Sequence, residues 1–324
     1  MRAIVCEKLG LPSDLVMREL PDSHEPGPGE IKVALSARGA QFVDVLMAAG
    51  EYQTKPPLPF IPGGEAAGEI VAVGSEVDKF KVGDKVMTRH STGAFAEQAT
   101  ILADHALLVP ANMELIQAAG FRSAYSTAYH SLVQRGRLQP GETLLVHGAA
   151  GGIGLAAVQI GKILGATVIA TASSDNKLAV VEANGADHII NYTDGFRDKV
   201  KELTDGRGAD VIYDPVGAGV FDESMRCLNW GARILILGFV GGGPSLAKTN
   251  HLLIKGASAV GVRMGGFNEF EPETAAANLK VLMEWAKAEK LKPHVSHTYP
   301  LDQVAKALQV IIDRKVIGKC VLTN

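Results

Sequence analysis

Eight residues, His147-Gly148-Ala149-Ala150-Gly151-Gly152-Ile153-Gly154, set the fold. They follow a strand-like run, Thr143 to His147, and open an apolar run of helical spacing, Gly152 to Leu164. A glycine cluster at a strand-to-helix turn is the setting of a dinucleotide-binding loop. Gly151 removes a side chain where backbone must approach a pyrophosphate, and Gly154 lets helix and strand pack closely. The helix N-terminus offers unpaired N–H groups and partial positive charge to phosphate. Ala150, Gly151, Gly152, Ile153 and Gly154 are therefore candidate cofactor-binding residues. Ala149 stands where the fingerprint has its first glycine, with Gly148 one residue earlier.

The rhythm of the loop continues downstream. Thr167–Thr171, His188–Ile190, Asp210–Tyr213, Arg233–Leu237 and Ser258–Val262 read as strands. Asn176–Asn184, Phe196–Leu203 and Phe221–Leu228 read as helices between them, and Ser123–Arg135 as a helix before the loop. Strands alternating with helices predict an α/β fold with a doubly wound, parallel, six-stranded sheet. Residues 1 to about 122 differ: short β-like runs (Ala3–Cys6, Ile31–Ala37, Ala66–Val73, Lys85–Thr88) broken by turns such as Glu25-Pro26-Gly27-Pro28-Gly29. After Pro272 come helices over Ala275–Glu289 and Leu301–Arg314 and a strand over Lys319–Leu322. That tail is too short to stand alone and is predicted to pack on the first segment. The expected domains are 1–122, 123–264 and 265–324, the last completing the first.

The end of the second strand of the sheet selects the cofactor. NAD sites place an acid there to accept from the ribose hydroxyls. Here the segment is Thr171-Ala172-Ser173-Ser174-Asp175-Asn176-Lys177, and no acid ends the strand. Asp175 comes later, where it begins the next helix. Ser173 and Ser174 can donate to a 2′-phosphate and Lys177 can neutralise it, so NADPH is expected. Ser174 as a plain helix N-cap and Lys177 as a solvated residue are the bland alternatives.

At 324 residues the chain has room for two domains, and its net charge of −3 gives no footprint for nucleic acid or a membrane surface. Cys6, Cys227 and Cys320 are too few and too scattered for a disulfide framework or a zinc module. Gly148–Ala172 is apolar enough to suggest a membrane span, but it carries Lys162 and splits into two periods. The N-terminus, MRAIVCEKLG, lacks the apolar core of a secretory signal. A cytoplasmic location is expected.

Several further runs accompany the loop in order: Gly63-Gly64-Glu65-Ala66-Ala67-Gly68, Lys81-Val82-Gly83-Asp84-Lys85-Val86, Gly185-Ala186-Asp187 through Asn191-Tyr192, Tyr213-Asp214-Pro215-Val216-Gly217, and Gly318-Lys319. With them the whole chain resembles the medium-chain dehydrogenase/reductase superfamily, and within it the zinc-independent, ζ-crystallin-like quinone oxidoreductases. The resemblance implies a Rossmann domain inserted in a GroES-like, mostly-β catalytic domain, with the active site in a cleft between them. It also implies homo-oligomers, often dimers joined through the edge of the Rossmann sheet, and a homodimer is expected. Zinc-dependent relatives carry a cysteine and a histidine at the places of Gln41 and Gly64, neither of which can supply a thiolate or imidazole. No metal is expected, and an alkoxide would be hard to stabilise without one. A quinone or an enone needs less electrophilic help, because the added charge delocalises onto an oxygen.

On the same resemblance, Tyr52 is a candidate proton or hydrogen-bond donor, or a residue that only lines the pocket. Gln41 is a second catalytic candidate, on a longer arm than the asparagine usual there. Asp44 reads as structural. Thr127 would hold the nicotinamide amide, or is a helix residue bonding its own backbone; Phe239 and Val240 would border the ring, and Val216 is a further cofactor-binding candidate. Tyr192 would edge the adenine pocket, or else pack in the core. Arg263 would reach cofactor or acceptor, or else make an interdomain ion pair. Two alternatives stand beside a quinone or enone reductase: an enoyl-thioester (acyl-CoA) reductase, and a non-catalytic NADPH-binding or RNA-associated protein.

Overall fold

The computed structural model describes all residues, 1–324. They form two compact units, Met1–Ser123 with Pro293–Asn324, and Ala124–Lys292.

The first unit begins with β1 (Arg2–Val5), antiparallel to β2 (Val16–Glu19). Next is β3 (Glu30–Ala40), whose Ile31, Val33, Leu35 and Ala37 are buried. The short helix α1 (Phe42–Ala49) follows and is stopped by Gly50 in the left-handed region, φ 73°. Then come β4 (Glu65–Val73), β5 (Lys85–Arg89), β6 (Gln98–Leu102), β7 (Ala106–Leu108) and α2 (Leu115–Ala118). Helix α3 (Arg122–His130) carries the chain onward and runs into a π-turn, Ser131–Arg135.

In the second unit the elements alternate as the sequence predicts: β8 (Thr143–Val146), α4 (Gly152–Ile163), β9 (Thr167–Ala172), α5 (Asp175–Ala183), β10 (His188–Asn191), α6 (Arg197–Leu203), β11 (Ala209–Asp214), α7 (Ala218–Ser224), β12 (Leu228–Ile236), α8 (Thr249–Lys255) and β13 (Ser258–Gly261). All six strands are parallel, in the order β10-β9-β8-β11-β12-β13. This is the doubly wound order with its switch point between β8 and β11, outside whose C-terminal ends ligands bind. Buried aliphatics of β8, β9 and β11 (Leu145, Ile169 and Ile212) meet Phe196 and Phe221 from the covering helices.

Two more helices, α9 (Met264–Phe270) and α10 (Pro272–Lys287), complete this unit. The expected boundary after residue 264 is thus corrected to Lys292/Pro293. The cause is side-chain pairing within the unit. His130 stacks on Phe267 with ring centroids 3.8 Å apart, and Gln134 and Asn278 exchange hydrogen bonds of 3.0 and 3.1 Å.

The chain returns to the first unit as β14 (Val295–Pro300), α11 (Val304–Ile312) and β15 (Lys319–Thr323). Strand β15 lies between β14 and β3 in a sheet ordered β14-β15-β3-β4-β5-β7, with β6 also paired to β3.

Candidate functional site

In the second unit the glycine loop forms an anion cradle. Gly151 is the N-cap of α4 and lends it no side-chain cap. The first N–H with an acceptor in the chain is that of Leu155, to Gly151 O, so the amides of Gly152, Ile153 and Gly154 point outward unpaired. A Cβ built on Gly151 would touch only Gly148 O, at 3.3 Å, leaving the face of the loop open. Unpaired amides at the positive end of a twelve-residue helix suit a pyrophosphate.

At the end of β9, Ser174 is the N-cap of α5, as the bland reading holds, but its hydroxyl makes no capping bond. Lys177 Nζ lies 3.4 Å from Ser173 Oγ, so a hydroxyl and an ammonium meet beside the N-cap Ser174. Asp175 turns aside and accepts from Asn191 Nδ2 at 3.0 Å. This donor set, with no carboxylate ending the strand, fits the 2′-phosphate of NADPH. Tyr192 follows β10 and also packs partly on the core beneath.

Beyond β11, buried Asp214 accepts from Val216 N and Gly217 N, at 2.8 and 2.9 Å. The turn it holds receives Gly241 N on Val216 O at 2.8 Å, which sets Val216 beside half-exposed Phe239 and Val240. Thr127 sits on α3, its carbonyl taken by Ser131 Oγ at 2.6 Å. Arg263 caps α9, is exposed, and makes no ion pair within its unit.

His147 stitches the cradle together. Its ring lies between Thr171 Oγ1 (2.9 Å, at Nδ1) and Ser224 Oγ (2.8 Å, at Nε2). Ser224 donates its proton to Val220 O, so Nε2 must donate to Ser224 and Nδ1 accept from Thr171. Burial holds this histidine neutral, down to about 3 from an ordinary 6.5. Between those values the unfolded chain takes up a proton that the folded chain refuses, so stability falls as pH falls through that window. We expect His147→Asn to remove about 2 kcal/mol of the stability change between pH 7 and pH 5. His90, held down to about 4, adds to the wild-type slope, whereas Asp44, pushed up to about 7, opposes it. Denaturant unfolding at the two pH values, wild type against variant, checks this; equal slopes would contradict it.

In the first unit, Gln41 is the N-cap of α1. Its N–H donates to Asp44 Oδ2 at 2.8 Å, which gives Asp44 the structural part expected of it. Burial is the main cause of the raised Asp44 carboxyl, and Glu65 adds to it. The Gln41 Oε1 accepts from Ser123 Oγ at 3.1 Å. Below lies a buried ion pair, Lys319 Nζ to Glu65 Oε1 at 2.7 Å, while Glu65 Oε2 accepts from Ser123 N at 3.0 Å. Tyr52 is half-buried just past the other end of α1, its N–H on Leu46 O.

A model for alcohol dehydrogenase GroES-like domains matches residues 27–112, and one for zinc-binding dehydrogenases matches 152–278. The chain is 39% identical, over its full length and 89% of the relative's, to a quinone oxidoreductase-like protein 2 homolog of Nematostella vectensis. It is 32% identical, over 99% of itself and 97% of the relative, to a human quinone oxidoreductase. A structure of Escherichia coli quinone oxidoreductase complexed with NADPH superposes over all of both chains, with a TM-score of 0.91 at 30% identity. The chain belongs to the quinone oxidoreductase family of medium-chain dehydrogenases/reductases. It is an oxidoreductase with the inserted-Rossmann, GroES-like architecture of that family.

The zinc-binding description attaches to the half that carries the cofactor cradle. The chain has an amide at Gln41 and no side chain at Gly64, and no three His, Cys, Asp or Glu residues gather as a ligand set. No helix is long and apolar enough to cross a membrane. Sequence reasoning missed His147, Asp214 and Ser123 as site-building residues. The first two lie inside quoted motifs and could have been found there; Ser123 had no local signal.

Proposed function

We propose that this chain catalyses hydride transfer from NADPH to a quinone or an α,β-unsaturated carbonyl, with no metal. Bound NADPH supplies the hydride. The amides of Gly152 to Gly154 bind its pyrophosphate, Ser173, Ser174 and Lys177 its 2′-phosphate, and Tyr192 its adenine edge. Thr127, Val216, Phe239, Val240 and Arg263 position the nicotinamide end. The observation that carries the acceptor reading is the Gln41 amide. Its carbonyl is engaged by Ser123 while its –NH2 end has no partner in the chain. A neutral donor there stabilises the oxyanion that forms when hydride reaches a conjugated carbonyl. The phenol of Tyr52, also without a partner, supplies a second donor or the proton.

The test is NADPH oxidation by the purified protein, with EDTA, against quinones, simple enones and enoyl-CoA esters, with NADH in parallel. Turnover of quinones or enones with NADPH preferred supports the reading. Turnover of enoyl-CoA alone would move the protein to the thioester reductases, and binding without turnover would make it a non-catalytic NADPH protein. Ser174→Ala/Lys177→Ala is expected to weaken NADPH by about 100-fold, the worth of two charge-assisted contacts, and leave NADH unchanged. Equal losses for both cofactors, by fluorescence titration, would refute the 2′-phosphate assignment.

The same proposal includes a homodimer through the edge of the six-stranded sheet. Strand β13 is unpaired on its outer side, and Trp230, Leu253 and Ile254 are exposed in the same unit. A solution mass of twice the 34.1 kDa chain supports it, and a single-chain mass rejects it. Three free, buried cysteines suit the reducing cytoplasm, where we place the protein.

A further inference from the structure

An amide is a two-faced group. With –NH2 outward Gln41 stabilises a developing oxyanion; with the carbonyl outward it opposes one. Nothing in a glutamine side chain by itself chooses between the two, and three torsions leave it free to turn. In this chain the choice is made from below. Ser123 Oγ donates to Gln41 Oε1 at 3.1 Å, which commits the carbonyl inward and leaves Nε2 with both protons unpartnered. Ser123 is itself fixed, since its N–H donates to Glu65 Oε2 at 3.0 Å. Glu65 in turn is fixed by Lys319 Nζ at 2.7 Å, both side chains being under 10% exposed. Two glycines make room for that pair. A Cβ on Gly39 would stand 2.8 Å from Glu65 Oε1, and one on Gly120 would stand 2.9 Å from Lys319 Cγ. The backbone N–H of Gln41 is held separately by Asp44, so the side chain is anchored at both its root and its carbonyl.

We propose that Ser123, seated on the buried Glu65–Lys319 pair, is a positioning residue that turns the Gln41 amide so that its –NH2 end meets the acceptor oxygen. The inference rests on Gln41 being the oxyanion donor. Ser123 touches neither acceptor nor cofactor in this scheme and acts only through Gln41.

The experiment is a double-mutant cycle on the whole protein, reading kcat and KM with a quinone acceptor. Gln41→Ala is expected to lower kcat about 100-fold. Ser123→Ala is expected to lower kcat about tenfold with little change in KM, and Ser123→Thr, which keeps a hydroxyl, to restore most of it. The double variant should be no slower than Gln41→Ala alone, because a residue acting through another adds nothing once that one is gone. A merely structural serine would give additive losses, and additivity overturns the proposal. So does a Ser123→Ala enzyme with wild-type kcat beside a slow Gln41→Ala enzyme. If Gln41→Ala turns over normally, the donor reading itself fails, and the positioning role fails with it.

Discussion

Gly154→Ala is expected to lower the thermal midpoint by roughly 6–12 °C and to abolish cofactor binding, whereas Gly151→Ala keeps the wild-type midpoint and loses only affinity. The two glycines are three residues apart and do different work. A Cβ on Gly154 would lie 2.3 Å from Gly148 O and 2.8 Å from Ala149 Cα. Both are backbone atoms of the loop, and the loop cannot retreat without parting from β9, where Ala149 N donates to Thr171 O at 3.1 Å. Overpacking of that kind costs about 3 kcal/mol. A Cβ on Gly151 meets only Gly148 O at 3.3 Å, and its φ of −79° suits any residue. Its cost falls on the ligand, because the methyl group stands where a pyrophosphate must approach the amides of α4; about tenfold or more in NADPH Kd follows. Thermal melts paired with NADPH titrations check both halves. A Gly154→Ala protein with the wild-type midpoint, or a Gly151→Ala protein with the wild-type Kd, contradicts the assignment of roles.

The second large effect concerns Lys319. Replacing it with methionine leaves the Glu65 carboxylate buried, with Ser123 N as its remaining donor and Asp44 nearby. Breaking a buried pair from one side costs about 3–5 kcal/mol, because an uncompensated charge stays behind. Glu65→Gln in the same chain removes the charge and keeps an oxygen for Ser123 N, so the double variant recovers at least half of the loss. Urea unfolding of the wild type and of the single and double variants measures it. A Lys319→Met protein within about 1 kcal/mol of wild type would mean that the pair is solvated in solution rather than buried.

The contrast between these sites shows what was legible in the amino-acid order. The glycine loop, the six strands and the end of β9 are local signals. Each is a run of a few residues whose spacing has a direct geometric reading, and the structure places the strands and the loop's helix as read. Strands β2, β6 and β7 escaped because they are short and take their register from β1, β3 and β5 rather than from their own alternation. The membership of α9 and α10 in the second unit escaped because it rests on pairings such as Gln134 with Asn278, far apart in the chain. Ser123 and Lys319 escaped for the same reason: their meaning depends on Gln41 and Glu65, which only the folded sheet brings near. Asp214 and His147 lay within quoted motifs, but that their side chains hold turns and strands in place emerges only from their hydrogen bonds.

Strand β15, pairing Cys320 with Ala40 in the middle of its sheet, gives the protein an order of completion during its synthesis. The ribosome finishes residues 124–292 before any of β15 exists. The nucleotide-binding half can therefore close while the other half still lacks an inner strand. Until Lys319 emerges, Glu65 is a carboxylate waiting for its counter-charge, and β3 offers an open edge to any passing chain. A nascent chain stalled short of β15 would be the form most in need of a chaperone.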